Sequence, residues 1–224
     1  LQENNIPFEG IQATGFNYQA FKHIKKRATK ASQELADVRG EAPDISGSGN
    51  RNAHLLAIAP NASSSIICGG TSPSIEPYRA NVYTHKTLSG SYQVKNKYLE
   101  KLLKSKGLKG EELNKTWKEI ANNEGSVQKL KILNDTEKEL FKTANEINQI
   151  WLVEHAYKRQ EFICQAQSLN LFFTLPSATE EQQVHDTYMQ YVSDVHWYGM
   201  HKLKSLYYFR TCLLYTSPSP RDGR

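Results

Sequence analysis

Long hydrophobic runs are missing from this chain. No stretch approaches the roughly 18 consecutive apolar residues that a membrane-spanning helix needs, so no membrane partner is expected. Cysteine is scarce as well: Cys68, Cys164 and Cys212 lie far apart, without CxxC spacing. An odd, scattered set argues against a disulfide framework and suits a reducing, cytoplasmic compartment. The glycine signatures GxGxxG and GxxxxGK[ST] are absent, which excludes a dinucleotide fingerprint and a P-loop. His185, His196 and His201 lie near Asp186 and Asp194, but steps of eleven and five do not bring the histidines to one helix face. No metal site is expected there. The chain opens on Leu1 with no charged-then-apolar leader. That says little about compartment, because a chain lacking its natural first residues would look the same.

What is present is the composition of a globular chain. Its 224 residues, 38% hydrophobic and 23% charged, suffice for one medium domain or part of a larger one. The net charge is +5 and the pI about 9.0. The lysines are spread along Lys22, Lys25, Lys26, Lys30 and the segment Lys95–Lys109, which reads as solvated helix faces. A basic nucleic-acid-binding module is the alternative, but it calls for an aromatic-lined basic stripe that the sequence does not show.

Periodicity divides the chain as follows. Residues 1–16 read as loop. From Asn17 a helix is predicted, with Phe21, Ile24, Ala28, Ala31 and Leu35 on one face and Gly40 at its stop. Leu55–Ala59 reads as a buried strand closed by Pro60, and Val82–Thr84 is weakly extended. Short helices follow around Tyr98–Leu103 and over Glu111–Ala121. The capping-box spacing Thr136-x-x-Glu139 opens a longer helix to about Tyr157. Ser168–Pro176 reads as strand. Ser177-x-x-Glu180 opens an amphipathic helix carrying Val184, Tyr188, Tyr191, Val195 and Tyr198, and Ser205–Thr211 is the last strand. Strands alternating with helices imply parallel pairing, in a doubly wound sheet or a barrel segment.

The small, hydroxyl-rich turn Pro60, Asn61, Ala62, Ser63, Ser64, Ser65 follows the first strand. Loops beyond the carboxyl ends of such strands hold ligands, and a turn without bulky side chains lets backbone N–H groups point at a phosphate. An ordinary strand-to-loop connection would look the same by spacing alone. Tyr207 and Tyr208 adjoin in the last strand, where packing is the common role of tyrosine. Stacked phenols that shed an electron and a proton together can also pass an oxidising equivalent in short hops. Cys164 and Cys68 have no local charge pattern that would depress a thiol pKa, so both read as buried free thiols.

Taken together, RNAHLLAIAPNASSS at Arg51–Ser65, SPSIEPYRANVYTHKTLSG at Ser72–Gly90, QAQSLNLFF at Gln165–Phe173 and KSLYYFRT at Lys204–Thr211 resemble the large, catalytic subunit of class I ribonucleotide reductase. Their order and separations match over about residues 1–211. The resemblance implies an α/β fold, the C-terminal portion of a ten-stranded α/β barrel, incomplete here. It implies that Pro60–Ser65 binds the diphosphate of a ribonucleoside diphosphate and that Tyr207 and Tyr208 transfer a radical. The implied partners are a radical-generating small subunit, a second large subunit, and thioredoxin or glutaredoxin. No cofactor is expected on this stretch: the small subunit would hold a metal-radical cofactor, and ATP or dNTP effectors would bind elsewhere. The family's radical-forming cysteine, its reducible cysteine pair and the Asn and Glu that assist them match nothing here, so this stretch alone is expected to be inactive. It is also expected to fold poorly alone, since an open barrel exposes strand edges. Cys212–Arg224 (CLLYTSPSPRDGR) fits nothing before it and resembles a translated sequencing adapter, a non-native tail. An anaerobic, glycyl-radical reductase would share the barrel, but the adjacent tyrosines disfavour it.

Overall fold

The computed structural model describes residues 1–87, 90–177 and 179–212. In chain order its helices and strands are α1 (Ile11–Arg39), α2 (Ala62–Ile67), β1 (Val82–Thr87), β2 (Gly90–Lys95), α3 (Lys97–Ser105), α4 (Gly110–Asn122), α5 (Asp135–Leu140), α6 (Gln149–Gln160), β3 (Leu171–Thr174), α7 (Gln182–Lys202) and β4 (Phe209–Cys212). The proposed adapter tail lies outside the described residues apart from Cys212, whose backbone ends β4. The chain forms two units: Leu1–Ala13 with Pro77–Asn148, and Thr14–Glu76 with Gln149–Arg224.

The first unit is a small helical domain carrying an antiparallel hairpin, with Val82 opposite Lys95 and Thr84 opposite Gln93. Its core is apolar and closed: Leu99, Leu103, Trp117, Ile120, Val127 and Phe141 are all at most 1% exposed. The spacing of Leu99 and Leu103 on α3, and of Leu113, Trp117 and Ile120 on α4, turns one face of each helix inward. Asn96 caps α3 by accepting the N–H groups of Tyr98 and Leu99. A side-chain network fixes the loops: the Asn81 amide donates to the carbonyls of Gly125 and Phe141 at 3.0 and 2.8 Å, and the Asn96 amide donates to Asn81 at 2.9 Å. Gly125 has φ +83°, and a Cβ there would fall 2.4 Å from that of Ala80, so glycine is required at this crossing.

The second unit holds the parallel strands. Ile58 bridges Gln167 in parallel, and β3 pairs with β4 in parallel, Leu171 opposite Phe209. Residues 165–174 therefore form a central strand with a neighbour on each side. Helix α1 ties into α6 through the Asn17 amide, which donates to the carbonyl of His155 at 2.9 Å, and into the turn after α6 through Tyr18 edge-on to Phe162. Phe173 stacks on Phe209 at 5.6 Å and meets Tyr191 of α7 edge-on.

Several expectations need correction. Helix α1 begins at Ile11, within the segment read as loop, and its buried positions include Ala13, Asn17, Phe21, Ser32 and Ala36, whereas Ile24 and Leu35 are exposed. Leu55–Ala59 is parallel as expected but makes a single bridge and is not buried, because among the described residues only 165–168 pairs with it. The second hairpin strand escaped periodicity: its mixed Gly90–Lys95 sequence is exposed on both faces at its start. The capping box that opens α5 is Asn134 with Glu137, not Thr136 with Glu139. That helix ends at Leu140, and α6 starts afresh at Gln149. In the gap the Glu146 carboxylate accepts the N–H and hydroxyl of Thr143 at 2.7 and 3.0 Å, replacing helix bonds. Ser177 does not cap α7 either; Glu181 stands at that position without a side-chain cap bond.

Candidate active site

Two features of the second unit bear on chemistry. The first is the Pro60–Ser65 turn. Asn61 adopts a left-handed conformation (φ 50°, ψ 24°) and makes no side-chain cap bond, and α2 starts immediately after it. The first-turn N–H groups of Ala62, Ser63 and Ser64 thus have no capping side chain, while Ser65 N–H bonds the Asn61 carbonyl at 2.9 Å. Pro60, Asn61, Ala62, Ser63 and Ser64 are exposed. Ser65 is the exception: it is buried, and its hydroxyl donates to the Ala62 carbonyl at 2.8 Å. Ser65 therefore shapes the turn, whereas the hydroxyls of Ser63 and Ser64 face solvent. A six-residue helix has little dipole, so an anion here would be held mainly by N–H and O–H donors.

Ser74 props this turn from below. It is 4% exposed, holds φ +54°, and its hydroxyl reaches the carbonyls of Pro60 at 2.9 Å and Ala59 at 3.2 Å. Nothing local in the sequence signals that role.

The second feature is the tyrosine pair. Tyr207 and Tyr208 are 46% and 54% exposed, with ring centroids 4.1 Å apart and planes at 52°. A hydrogen bond to Tyr208 holds the Tyr207 phenol above its ordinary pKa, with the charge of Arg210 opposing. Tyr207 N–H bonds the Leu169 carbonyl at 3.1 Å, and Leu171 N–H bonds the Tyr208 carbonyl at 2.9 Å. Gly199 permits the turn that delivers them: a Cβ there would meet Leu206 at 2.9 Å.

The register relates the two features. Because Ile58 stands opposite Gln167 and Tyr207 bonds Leu169, the segment leading into the turn and the segment carrying the tyrosines lie on opposite sides of the central strand. By contrast, Tyr188 is half-buried with its hydroxyl oxygen enclosed and without a partner, and burial pushes its pKa up to about 12. A phenol with no acceptor for its proton is poorly placed for oxidation.

Both sulfur expectations change. Cys68 is exposed and Cys164 half-buried. Burial would raise the Cys164 thiol, but the N–H groups of Leu56 and Leu55, at 3.1 and 3.0 Å, together with the Lys25 ammonium at 3.9 Å, outweigh it and hold the pKa below the usual thiol range. The three histidines have separate partners: His185 meets the Ser177 carbonyl, His196 packs on Phe209, and His201 meets the Trp197 carbonyl. Among the described residues no group of three or more His, Cys, Asp or Glu gathers, and no helix is long and apolar enough to cross a membrane. A cleft of about 750 Å³ in the first unit, lined by Gln2, Tyr98, Lys101, Thr136, Leu140 and Phe141 among others, contains neither feature.

A parallel strand flanked on both sides, with helices packed against it, is the local architecture of an α/β barrel; Tyr207 and Tyr208, read from sequence as part of the last strand, lie just before β4. The family model for the ribonucleotide reductase barrel domain matches residues 42–209, and the chain belongs to that family. It is 44% identical over 213 residues to the putative ribonucleoside-diphosphate reductase large subunit of Frog virus 3, covering 95% of this chain and 35% of that protein. It is 43% identical to the ribonucleoside-diphosphate reductase large subunit of Invertebrate iridescent virus 3, covering 94% of this chain and 32% of that protein. Among solved structures, the Actinobacillus ureae class Id ribonucleotide reductase alpha subunit matches with a TM-score of 0.76 at 41% identity, covering 95% of this chain and 36% of the other. The chain spans about a third of the length of these relatives, and its fold is an incomplete α/β barrel.

Proposed function

We propose that this chain is the phosphate-gripping and radical-relaying part of a ribonucleoside-diphosphate reductase large subunit. The carrying observation is that the segment leading into the Pro60–Ser64 turn and the segment carrying Tyr207 and Tyr208 bond opposite sides of one strand, residues 165–174. The substrate's diphosphate accepts hydrogen bonds from the N–H groups of Ala62, Ser63 and Ser64 and from the Ser63 and Ser64 hydroxyls. Ser65, Ser74 and Pro60 hold the turn's shape.

The tyrosines act as a relay. When one of the pair is a phenoxyl radical, the O–H bond of the other breaks as an O–H bond forms on the first. One hydrogen atom moves, and no net charge leaves the pair. The oxidising equivalent originates on a small subunit with a metal-radical cofactor, and thioredoxin or glutaredoxin supplies the reducing electrons. Effectors, the thiyl-forming cysteine and its reducible partners belong to other parts of the complete subunit, which works as a dimer in the cytoplasm. Nothing in the comparisons favours a glycyl-radical reductase or a nucleic-acid module.

The test is turnover by the complete large subunit carrying this segment, with small subunit, reductant and a ribonucleoside diphosphate. Deoxynucleotide should form, and Tyr207→Phe or Tyr208→Phe should abolish it while substrate binding persists. Turnover undiminished by both substitutions would overturn the relay.

A further inference from the structure

A buried carboxylate lies behind the tyrosine pair, and the relay chemistry leaves it unused. Glu76 is 7% exposed, and the Ser72 hydroxyl donates to its backbone carbonyl. Its side chain accepts the Asn170 backbone N–H at 2.7 Å and the Asn170 side-chain amide at 2.9 and 3.2 Å. Asn170 in turn sits between Leu169 and Leu171, the two residues whose backbones bond Tyr207 and Tyr208. One carboxylate thus anchors the strand segment to which both tyrosines are fastened.

The charges around Glu76 extend the connection. Burial pushes the Glu76 carboxyl above its ordinary pKa, opposed by its bonds from Asn170 and then by the charges of Arg210 and Arg159. Arg159 is 2% exposed, donates to the Gln167 side chain at 2.6 Å, and lies over the Phe21 ring. It belongs to the layer beneath the sheet. Arg210 is exposed, and its guanidinium lies over the Tyr208 ring, 5.6 Å from the centroid. A cation over a phenol ring disfavours loss of an electron from that ring and fixes its plane. The Asn170 side-chain oxygen is buried and has no partner, so the amide orientation is set by Glu76 alone.

We propose that Glu76 is a positioning residue for radical transfer: through the bonds it accepts from Asn170 it fixes the strand segment to which the tyrosine pair is fastened. This rests on the relay reading of the tyrosines. Glu76→Leu is the informative substitution, because leucine fills a similar volume but accepts neither the Asn170 N–H nor its side-chain amide, whereas glutamine can still accept the N–H and serves as the conservative control. A Glu76 that served stability alone would lower the melting temperature and leave kcat of the folded enzyme unchanged.

The experiment uses the complete large subunit with its small subunit, with a more easily oxidised amino-substituted tyrosine at position 208 as a spectroscopic trap. In the parent, mixing with ribonucleoside diphosphate yields a radical signal at position 208. Glu76→Leu should lower the yield of that signal and kcat by about tenfold, the scale of one lost hydrogen bond to a charged group, with substrate KM unchanged, and Glu76→Gln should restore most of both. Asn170→Ala, which removes the side-chain donor and keeps the backbone N–H, should lower both by a smaller factor and stands in should Glu76→Leu fail to fold. Parent-like radical yield and kcat in folded Glu76→Leu or Asn170→Ala would overturn the proposal. Full turnover by Tyr208→Phe would instead overturn the relay reading itself, so the two failures are distinguishable.

Discussion

The two units of this chain solve different problems. The first buries a continuous apolar core, and its polar side chains serve as caps and loop ties. The second buries Asn17, Ser32, Glu76, Arg159, Gln167 and Asn170, and leaves Tyr207, Tyr208 and Trp197 exposed. Closed apolar packing gives stability, whereas buried, bonded polar groups give position at the cost of desolvation. The proposed chemistry lies in the unit that invests in position.

The largest effect that would sharpen this contrast is on stability. Trp117→Ala, at a site 1% exposed, should destabilise the first unit by about 3–5 kcal/mol. Hydrogen exchange on the complete protein should show lost protection in α3, α4 and α5, with residues 165–174 unaffected. Equal loss across both units would break the comparison.

An intermediate effect belongs to the turn. Ser63→Ala with Ser64→Ala removes two exposed hydroxyls and should raise the KM for a ribonucleoside diphosphate about thirtyfold, at roughly 1 kcal/mol for each lost bond. Ser65→Ala should instead act on stability, since its hydroxyl is bonded within the turn. Steady-state kinetics beside thermal melts separates the two, and the reverse pattern would remove Ser63 and Ser64 from the phosphate grip.

The smallest effect concerns Cys164. Two backbone N–H groups and Lys25 favour its thiolate, so its alkylation by iodoacetamide should reach its plateau at lower pH than an ordinary thiol. Lys25→Met should move that profile upward by less than the full difference, because Leu55 and Leu56 still donate. An unmoved profile would show that the amides alone set the pKa.

Sequence reasoning reached the elements whose signals are local. The leucines of α3, the Trp117 face of α4 and the alternation of parallel strands could all be read from spacing. It failed where distant partners decide. Lys25 and Cys164 lie 139 positions apart, so no local pattern announces the lowered thiol pKa. Ile24 and Leu35 carry the right helical spacing but face solvent, while Asn17 and Ser32 are buried because α6 and Asn52 offer bonds to them. Thr136 and Asn134 both satisfy a cap pattern, and only the bonds formed choose between them. The turn and the tyrosine pair were legible as motifs. Their supports, Ser74, Glu76 and Asn170, were not, because each acts through a contact made across the fold.

The central claim is that Tyr207 and Tyr208 carry an oxidising equivalent toward a substrate gripped at Ala62–Ser64. The most direct measurement is electron paramagnetic resonance of the complete enzyme with the amino-substituted tyrosine at position 208, recorded with and without ribonucleoside diphosphate. The account predicts a new tyrosine-derived radical that appears as the small-subunit radical decays, more strongly with substrate present. A small-subunit radical that persists unchanged, with no signal at position 208, would contradict it.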